Sequence, residues 1–198
     1  MCRFIETIRI ENGRLQHIEA HQQRLNATRE KHFPAASNAI DLKQVLKPES
    51  FQARTRCRVE YGADILKVEY IPYSIRPIKL LRCVESNTIE YAYKKADRSE
   101  IDELFNQKGD ADEVLIIRNG LLSDTSICNI ALSNGKEWYT PAYPLLQGTM
   151  REQLLCDKRI IPATIWLTDL RKYQKIRLFN AMIDFGELEL PVSAIITG

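Results

Sequence analysis

Three Asn-Gly dipeptides, at 12–13, 119–120 and 134–135, each stand between runs of β-branched and apolar residues. They constrain the fold of this chain more than any other feature. Asn and Gly both tolerate positive φ, which a two-residue hairpin turn needs at its two central positions, so each dipeptide predicts an antiparallel hairpin. The first joins residues 4–10 to 15–18, the second 114–118 to 121–122, and the third 127–132 to 138–140. Residues 55–61 and 65–71 predict two further strands about Gly62, and 78–84 another, framed by Pro72 and Pro77.

Helices are interleaved with these strands. Ile18, Ala20, Leu25 and Ala27 predict a polar-faced helix over 18–29 that stops before Phe33-Pro34, because a residue preceding proline is pushed out of the helical region. A second helix is expected near 41–46. Asp97, followed three residues later by Glu100, predicts a helix start, with Ile101, Leu104 and Phe105 as its apolar stripe and Gly109 closing it. Gly148-Thr149-Met150-Arg151 opens another, 169–173 is a short helix, and 176–179 is a strand of buried type. A polar turn near 85–90 predicts two domains, a small α/β domain at 1–87 and a larger β-rich one at 88–198. The chain shows no internal repeat and no low-complexity segment.

Composition excludes several classes. With 28 basic against 26 acidic residues, the net charge of +2 rules out a polycationic nucleic-acid arm, and no nucleic-acid partner is expected. The longest apolar run is four residues, 114–117, far short of a membrane-spanning helix, and the N-terminus lacks a signal-peptide core. A protein of the cytoplasm with no membrane partner is therefore expected. The five cysteines are scattered and odd in number, which fits a reducing compartment, and the three histidines lack a ligand cluster, so no metal is expected.

No Gly-rich phosphate loop, G-x-S-x-G elbow or H-E-x-x-H helix is present. Lys94 lies among bulky Tyr91 and Tyr93 ahead of a predicted helix, whose dipole would disfavour its protonated form; a partly neutral lysine is what Schiff-base chemistry needs. Taken alone, a solvated lysine beside Lys95 is the commoner explanation. Asp124 alone is equally an acid in a strand-edge turn, Arg24 a solvated charge, and 148–150 a plain helix start.

Their joint pattern resembles a known family. I-E-T-I-R-I-E-N-G-R-L from Ile5, H-Q-Q-R-L ending at Leu25, Y-K-K-A-D-R from Tyr93, S-D-T-S-I-C-N-I from Ser123, Q-G-T-M-R from Gln147 and F-N-A-M from Phe179 stand in the order and approximate spacing of the class IV aminotransferases. The resemblance covers nearly the whole chain. It implies the two-domain α/β (α+β) fold of the fold-type IV pyridoxal-phosphate enzymes, like D-amino-acid aminotransferase, with the cofactor between the domains and a homodimeric assembly.

The resemblance makes Lys94 the lysine that holds the cofactor aldehyde and shuttles the substrate proton. Arg24, the backbone N–H groups of Thr149 and Met150, and the loop at Asn180 and Ala181 would hold the phosphate. Asp124 takes the place of the acid that pairs with the pyridine nitrogen, where most relatives have Glu; Asn129 would support it. Arg9 and Arg98 are the candidates for substrate carboxylates. Relative to the family pattern the N-terminal domain is shortened, and Ile5 replaces an active-site aromatic residue.

The spacing of Lys94 and Arg98 and the F-N-A-M segment are similar to 4-amino-4-deoxychorismate lyase, which implies release of pyruvate to give 4-aminobenzoate for folate synthesis. The alternatives are a class IV aminotransferase for branched-chain or D-amino acids, each a small-molecule amino substrate, and a non-catalytic anion-binding paralogue. Arg54, Arg56 and Arg58 share one strand face by their period of two, as an anion-binding stripe or as an ordinary solvated sheet face.

Overall fold

The computed structural model describes residues 2–36 and 38–197, which divide into two compact units. The first comprises residues 1–75 and 93–97, the second 76–92 and 98–198. A single passage of the chain at 87/88 was expected; instead it leaves the first unit after Ile75 and returns for 93–97. The return has a physical cause: Ile5 N–H donates to Lys94 O at 2.9 Å and Ala96 N–H to Arg3 O at 2.8 Å, which fastens this segment to the edge of the first strand.

In the first unit, β1 (Phe4–Glu11), β2 (Arg14–Leu15), β3 (Thr55–Tyr61) and β4 (Ile65–Pro72) form an antiparallel sheet in the order β2-β1-β3-β4. The two-residue turn between β1 and β2 places Asn12 at φ 53° and Gly13 at φ 69°, the left-handed pair expected of this hairpin. Helix α1 (Ile18–His32) ends at Phe33, ahead of Pro34, as proline sterics demand. Its buried residues are Ile18, His21, Leu25, Thr28 and Arg29, so two of the expected apolar positions, Ala20 and Ala27, stay off the core while polar side chains enter it. Helix α2 (Leu42–Val45) is one turn, capped by the Asp41 carboxylate accepting from Lys43 N–H. Phe4, Ile8 and Ile10 pack with Cys57, Val59, Tyr61, Leu25 and Leu42 to form the core.

The second unit holds β5 (Leu81–Glu85), α3 (Ser99–Asn106), β6 (Glu113–Arg118), β7 (Leu121–Thr125), β8 (Asn129–Ser133), β9 (Trp138–Pro141), α4 (Thr149–Cys156), β10 (Ile161–Ala163), β11 (Lys175–Asn180), β12 (Ile183–Pro191) and β13 (Ile195–Ile196). They form two sheets, β13-β5-β6-β7 and β10-β9-β8-β11-β12. The turn at Asn119 and Gly120 again has positive φ at both positions, 50° and 76°. The third Asn-Gly differs. Asn134 uses its side chain to accept from Lys136 and Glu137 N–H, leaving only Gly135 at positive φ. The cap of α3 is Arg98 rather than Asp97, and the Arg98 side chain makes no capping bond to the helix end. The expected helix at 169–173 is a 3-10 turn over Leu167–Lys172.

Candidate functional site

In the first unit, the lysine candidate sits beside β1. Phe4 and Lys95 face each other in an antiparallel bridge, so Lys94 lies opposite Ile5. Ile5, Thr7 and Arg9 share the face of β1 away from the α1-packed core, while a tight turn closed by Lys95 N–H donating to Tyr93 O at 2.8 Å centres on Lys94, whose charge acts on His21 of α1.

The opposite face of β1 carries a buried acid that sequence reasoning missed. Glu6 is fully buried and accepts from Arg24 Nε at 2.8 Å, from Arg24 Nη2 at 2.5 Å and from His21 Nδ1 at 2.6 Å. Burial alone would raise the Glu6 pKa, but the two-pronged Arg24 guanidinium and the His21 bond outweigh it and hold the carboxylate at about 2. Burial lowers the His21 pKa, so the ring is neutral at pH 7 and its Nδ1 carries the hydrogen given to Glu6, an acceptor only. Arg24 is thus a positioned side chain, not a solvated charge. A signal existed: Glu6 shares parity with Phe4, Ile8 and Ile10, which put an acid on the apolar face of β1, and His21 and Arg24 are three residues apart on α1.

In the second unit, Asp124 is the penultimate residue of β7, at 5% exposure. Its Oδ1 accepts from Asn129 Nδ2 at 2.9 Å and its Oδ2 from Leu146 N–H at 3.0 Å. Burial pushes its pKa up to about 6, opposed by the Leu146 and Asn129 bonds and by the positive charge of Arg151. A carboxylate so placed gains from any cation brought against it. Asn129 also donates to Leu146 O at 2.9 Å. A Cβ on Gly148 would fall 1.9 Å from Asn129 Oδ1, so only glycine allows this approach at the start of α4.

The first bond of α4 runs from Glu152 N–H to Gly148 O, which leaves the N–H groups of Thr149, Met150 and Arg151 without an intrahelical acceptor. Such a helix end suits an anion. Asn180, at the end of β11, donates to Ile127 O at 3.0 Å and accepts from Met182 N–H at 2.8 Å, so it ties the turn around Ala181 to the loop after β7. That loop is braced from below by Glu113, fully buried, which accepts from Ser126 Oγ at 2.9 Å and from Arg76 at 3.0 Å. Arg98 donates to Ser126 O at 3.0 Å and lies 3.6 Å from Asp102.

The structure therefore gathers Asp124, Asn129, Thr149, Met150, Asn180 and Ala181 in one unit, and Lys94, Arg24 and Arg9 in the other. Their side chains and amides suit the parts of a phosphorylated pyridine aldehyde. A guanidinium and free helix amides fit a phosphate, a buried acid fits a ring nitrogen, and a lysine fits an aldehyde. Among the described residues no group of histidine, cysteine and acidic side chains could hold a metal ion, and no helix is long and apolar enough to cross a membrane.

Residues 92–193 match the family described as amino-transferase class IV. An uncharacterized protein of Haemophilus influenzae is 38% identical over 186 residues, covering 92% of this chain and 98% of its own. A solved structure from Haemophilus somnus, provisionally assigned as a 4-amino-4-deoxychorismate lyase, is similar at 34% identity with a TM-score of 0.84, covering 92% of this chain and 97% of that one. A pyridoxal-phosphate-bound hypothetical aminotransferase from Mycobacterium tuberculosis shares the fold at 16% identity and a TM-score of 0.74, covering 98% of this chain and 81% of that one.

Proposed function

Because this chain belongs to the class IV aminotransferase family, a family of pyridoxal-phosphate enzymes, we propose that it is a lyase that releases pyruvate from 4-amino-4-deoxychorismate and leaves 4-aminobenzoate for folate synthesis. The observation that carries the cofactor assignment is Asp124: a buried carboxylate with its pKa lifted to about 6, next to the unbonded amides of α4. The lyase assignment is supported by the 34% identical structure from Haemophilus somnus.

In this reading pyridoxal phosphate supplies an electron sink at the amine-bearing carbon. Asp124 would hold a proton on the ring nitrogen, with Asn129 and Leu146 N–H fixing the direction of its oxygens. Thr149 and Met150 amides, the turn at Asn180 and Ala181, and Arg24 would hold the phosphate; Glu6 holds the Arg24 fork in one orientation. Lys94 would hold the aldehyde of the cofactor, and its Nζ is the base that would take the proton from the amine-bearing carbon of the substrate. The bond from ring carbon to enolpyruvyl oxygen then breaks, the departing group gains a proton to become pyruvate, and the ring becomes aromatic. Arg9 and Arg98 are the guanidinium candidates for the substrate carboxylates, Arg98 with one arm already on Ser126 O.

The reading carries a homodimer in the cytoplasm, of twice the 22.9 kDa chain mass, which light scattering on the loaded protein measures. The decisive assay supplies 4-amino-4-deoxychorismate and follows pyruvate and 4-aminobenzoate. Equal amounts of both support the lyase. Amino transfer from branched-chain or D-amino acids to a 2-oxo acid, with no pyruvate release, would replace it by the aminotransferase reading; a folded protein that takes up no cofactor would leave a non-catalytic anion-binding paralogue.

A further inference from the structure

Glu113, the first residue of β6, is fully buried, and burying a carboxylate is costly enough that an apolar side chain of similar size is often no less stable in its place. What a carboxylate adds there is acceptors. Its Oε1 accepts from Val114 N–H at 2.8 Å and from Ser126 N–H at 3.4 Å, and its Oε2 from Ser126 Oγ at 2.9 Å and Arg76 Nη2 at 3.0 Å. The Arg76 guanidinium, half-exposed and 5.3 Å from the centre of the Phe105 ring, supplies the countercharge. Strand register brings Glu113 to this place: Leu115 of β6 faces Thr125 of β7 in an antiparallel pair, so a residue two positions earlier on β6 reaches the turn that follows Thr125.

That turn separates Asp124 from Asn129. Thr125 closes it, its N–H donating to Cys128 O at 2.9 Å and its Oγ1 accepting from Cys128 N–H at 2.9 Å and Ile127 N–H at 3.3 Å. Immediately beyond the closure, Asn129 Nδ2 meets Asp124 Oδ1. Ser126, at the tip, is held on both sides: Glu113 takes its N–H and hydroxyl, and Arg98 donates to its carbonyl at 3.0 Å. Asn180 Nδ2 donates to the next carbonyl, that of Ile127, at 3.0 Å. The direction of the Asp124 carboxylate therefore depends on where a group outside its own strand holds Ser126.

The structure assigns Glu113 as a positioning residue that acts through Ser126 to aim the Asp124 carboxylate at the ring nitrogen of the cofactor. This rests on the proposed pairing of Asp124 with that nitrogen, and it extends the pairing to a buried acid on the neighbouring strand. A charge-assisted bond to a ring nitrogen weakens steeply off its axis, so a turn loosened at Ser126 costs that bond before any other contact with the cofactor.

The test compares two probes on the full chain stripped of cofactor: pyridoxal phosphate, and 1-deazapyridoxal phosphate, in which a ring CH replaces the nitrogen. Both offer the same phosphate and aldehyde, so the ratio of their dissociation constants, measured by equilibrium dialysis, reads the ring nitrogen. The wild type is expected to bind pyridoxal phosphate at least about tenfold more tightly, and Asp124→Asn to bring the two near parity. Ser126→Ala, which removes only the hydroxyl that Glu113 accepts from, is expected to cut the preference about threefold while its affinity for the deaza probe stays at the wild-type value. Glu113→Gln cuts it too, and the double variant no further than the worse single one, since both break the same link. Ile116→Val, which trims the buried core of the same strand, lowers stability and leaves the preference intact. An unchanged preference in Ser126→Ala, or an equal fall in Ile116→Val, would overturn the role of Glu113; if Glu113→Gln does not fold, Ser126→Ala decides. Equal affinity of the wild type for both probes would overturn the pairing of Asp124 itself, so the two failures are told apart.

Discussion

Glu6 is buried with a carboxylate whose charge the Arg24 fork balances and which accepts the His21 N–H, so its removal breaks a charge-assisted pair and leaves the His21 donor without this acceptor. Glu6→Gln is expected to lower unfolding free energy at pH 7 by about 3 kcal/mol, measured by urea denaturation. The sign of the pH dependence follows from a folded pKa of about 2 against an ordinary 4.5. The contribution is complete above pH 4.5 and is lost as pH falls through 2, so wild type and variant converge in that window. Asp124 has the opposite sign. Its folded pKa of about 6 lies above the ordinary 3.8, so its protonated form stabilises below 3.8 and that contribution disappears as pH rises through 6. In protein stripped of cofactor, the stability difference between Asp124→Asn and wild type should move in favour of the variant by about 2 kcal/mol from pH 4 to pH 7. Neither group was legible alone. Asp124 was reached through the ordered motif around it, while Glu6 and His21 were passed over, because a charged residue in an alternating strand is ordinarily on the wet face.

The start of α4 depends on a glycine for space. Gly148→Ala would drive a Cβ into the side chain of Asn129, which is held on two sides by Asp124 and Leu146. The expected loss is about 1–3 kcal/mol in thermal or chemical unfolding, together with weaker cofactor retention, because the bond that directs Asp124 must yield. Retention of both at wild-type values would contradict the role given to Asn129. The elements themselves were largely legible where local chemistry decides them. Two Asn-Gly hairpins and the proline-limited end of α1 form as expected. The third Asn-Gly turn and the α3 cap do not, because side-chain bonding within the Asn134 loop replaces the two-residue turn and the helix begins one residue later than the Asp97 signal. The buried face of α1 was misjudged for a related reason: the Glu6 network brings His21 inward, and Ala63 O and Asn38 take the Arg29 guanidinium.

At the scale of the molecule, the chain returns to the first unit for five residues, 93–97, and Lys94 belongs to that return. Composition changes near 85–90 could not reveal it, since strand pairing with β1 is a contact between residues some ninety positions apart and leaves no local trace. The return ties the lysine proposed to hold the cofactor to β1, with Ile5 as its cross-strand neighbour. Its neighbour Lys95 is bridged to Phe4. The central claim is therefore specific to one of two adjacent lysines. The most direct test loads the protein with pyridoxal phosphate, desalts it, records the visible spectrum before and after borohydride, and maps the modified peptide beside Lys94→Ala. The account predicts a cofactor band in the wild type that borohydride fixes to Lys94, and its loss in the variant. A label on Lys95 or elsewhere, or a band that survives in Lys94→Ala, would contradict it.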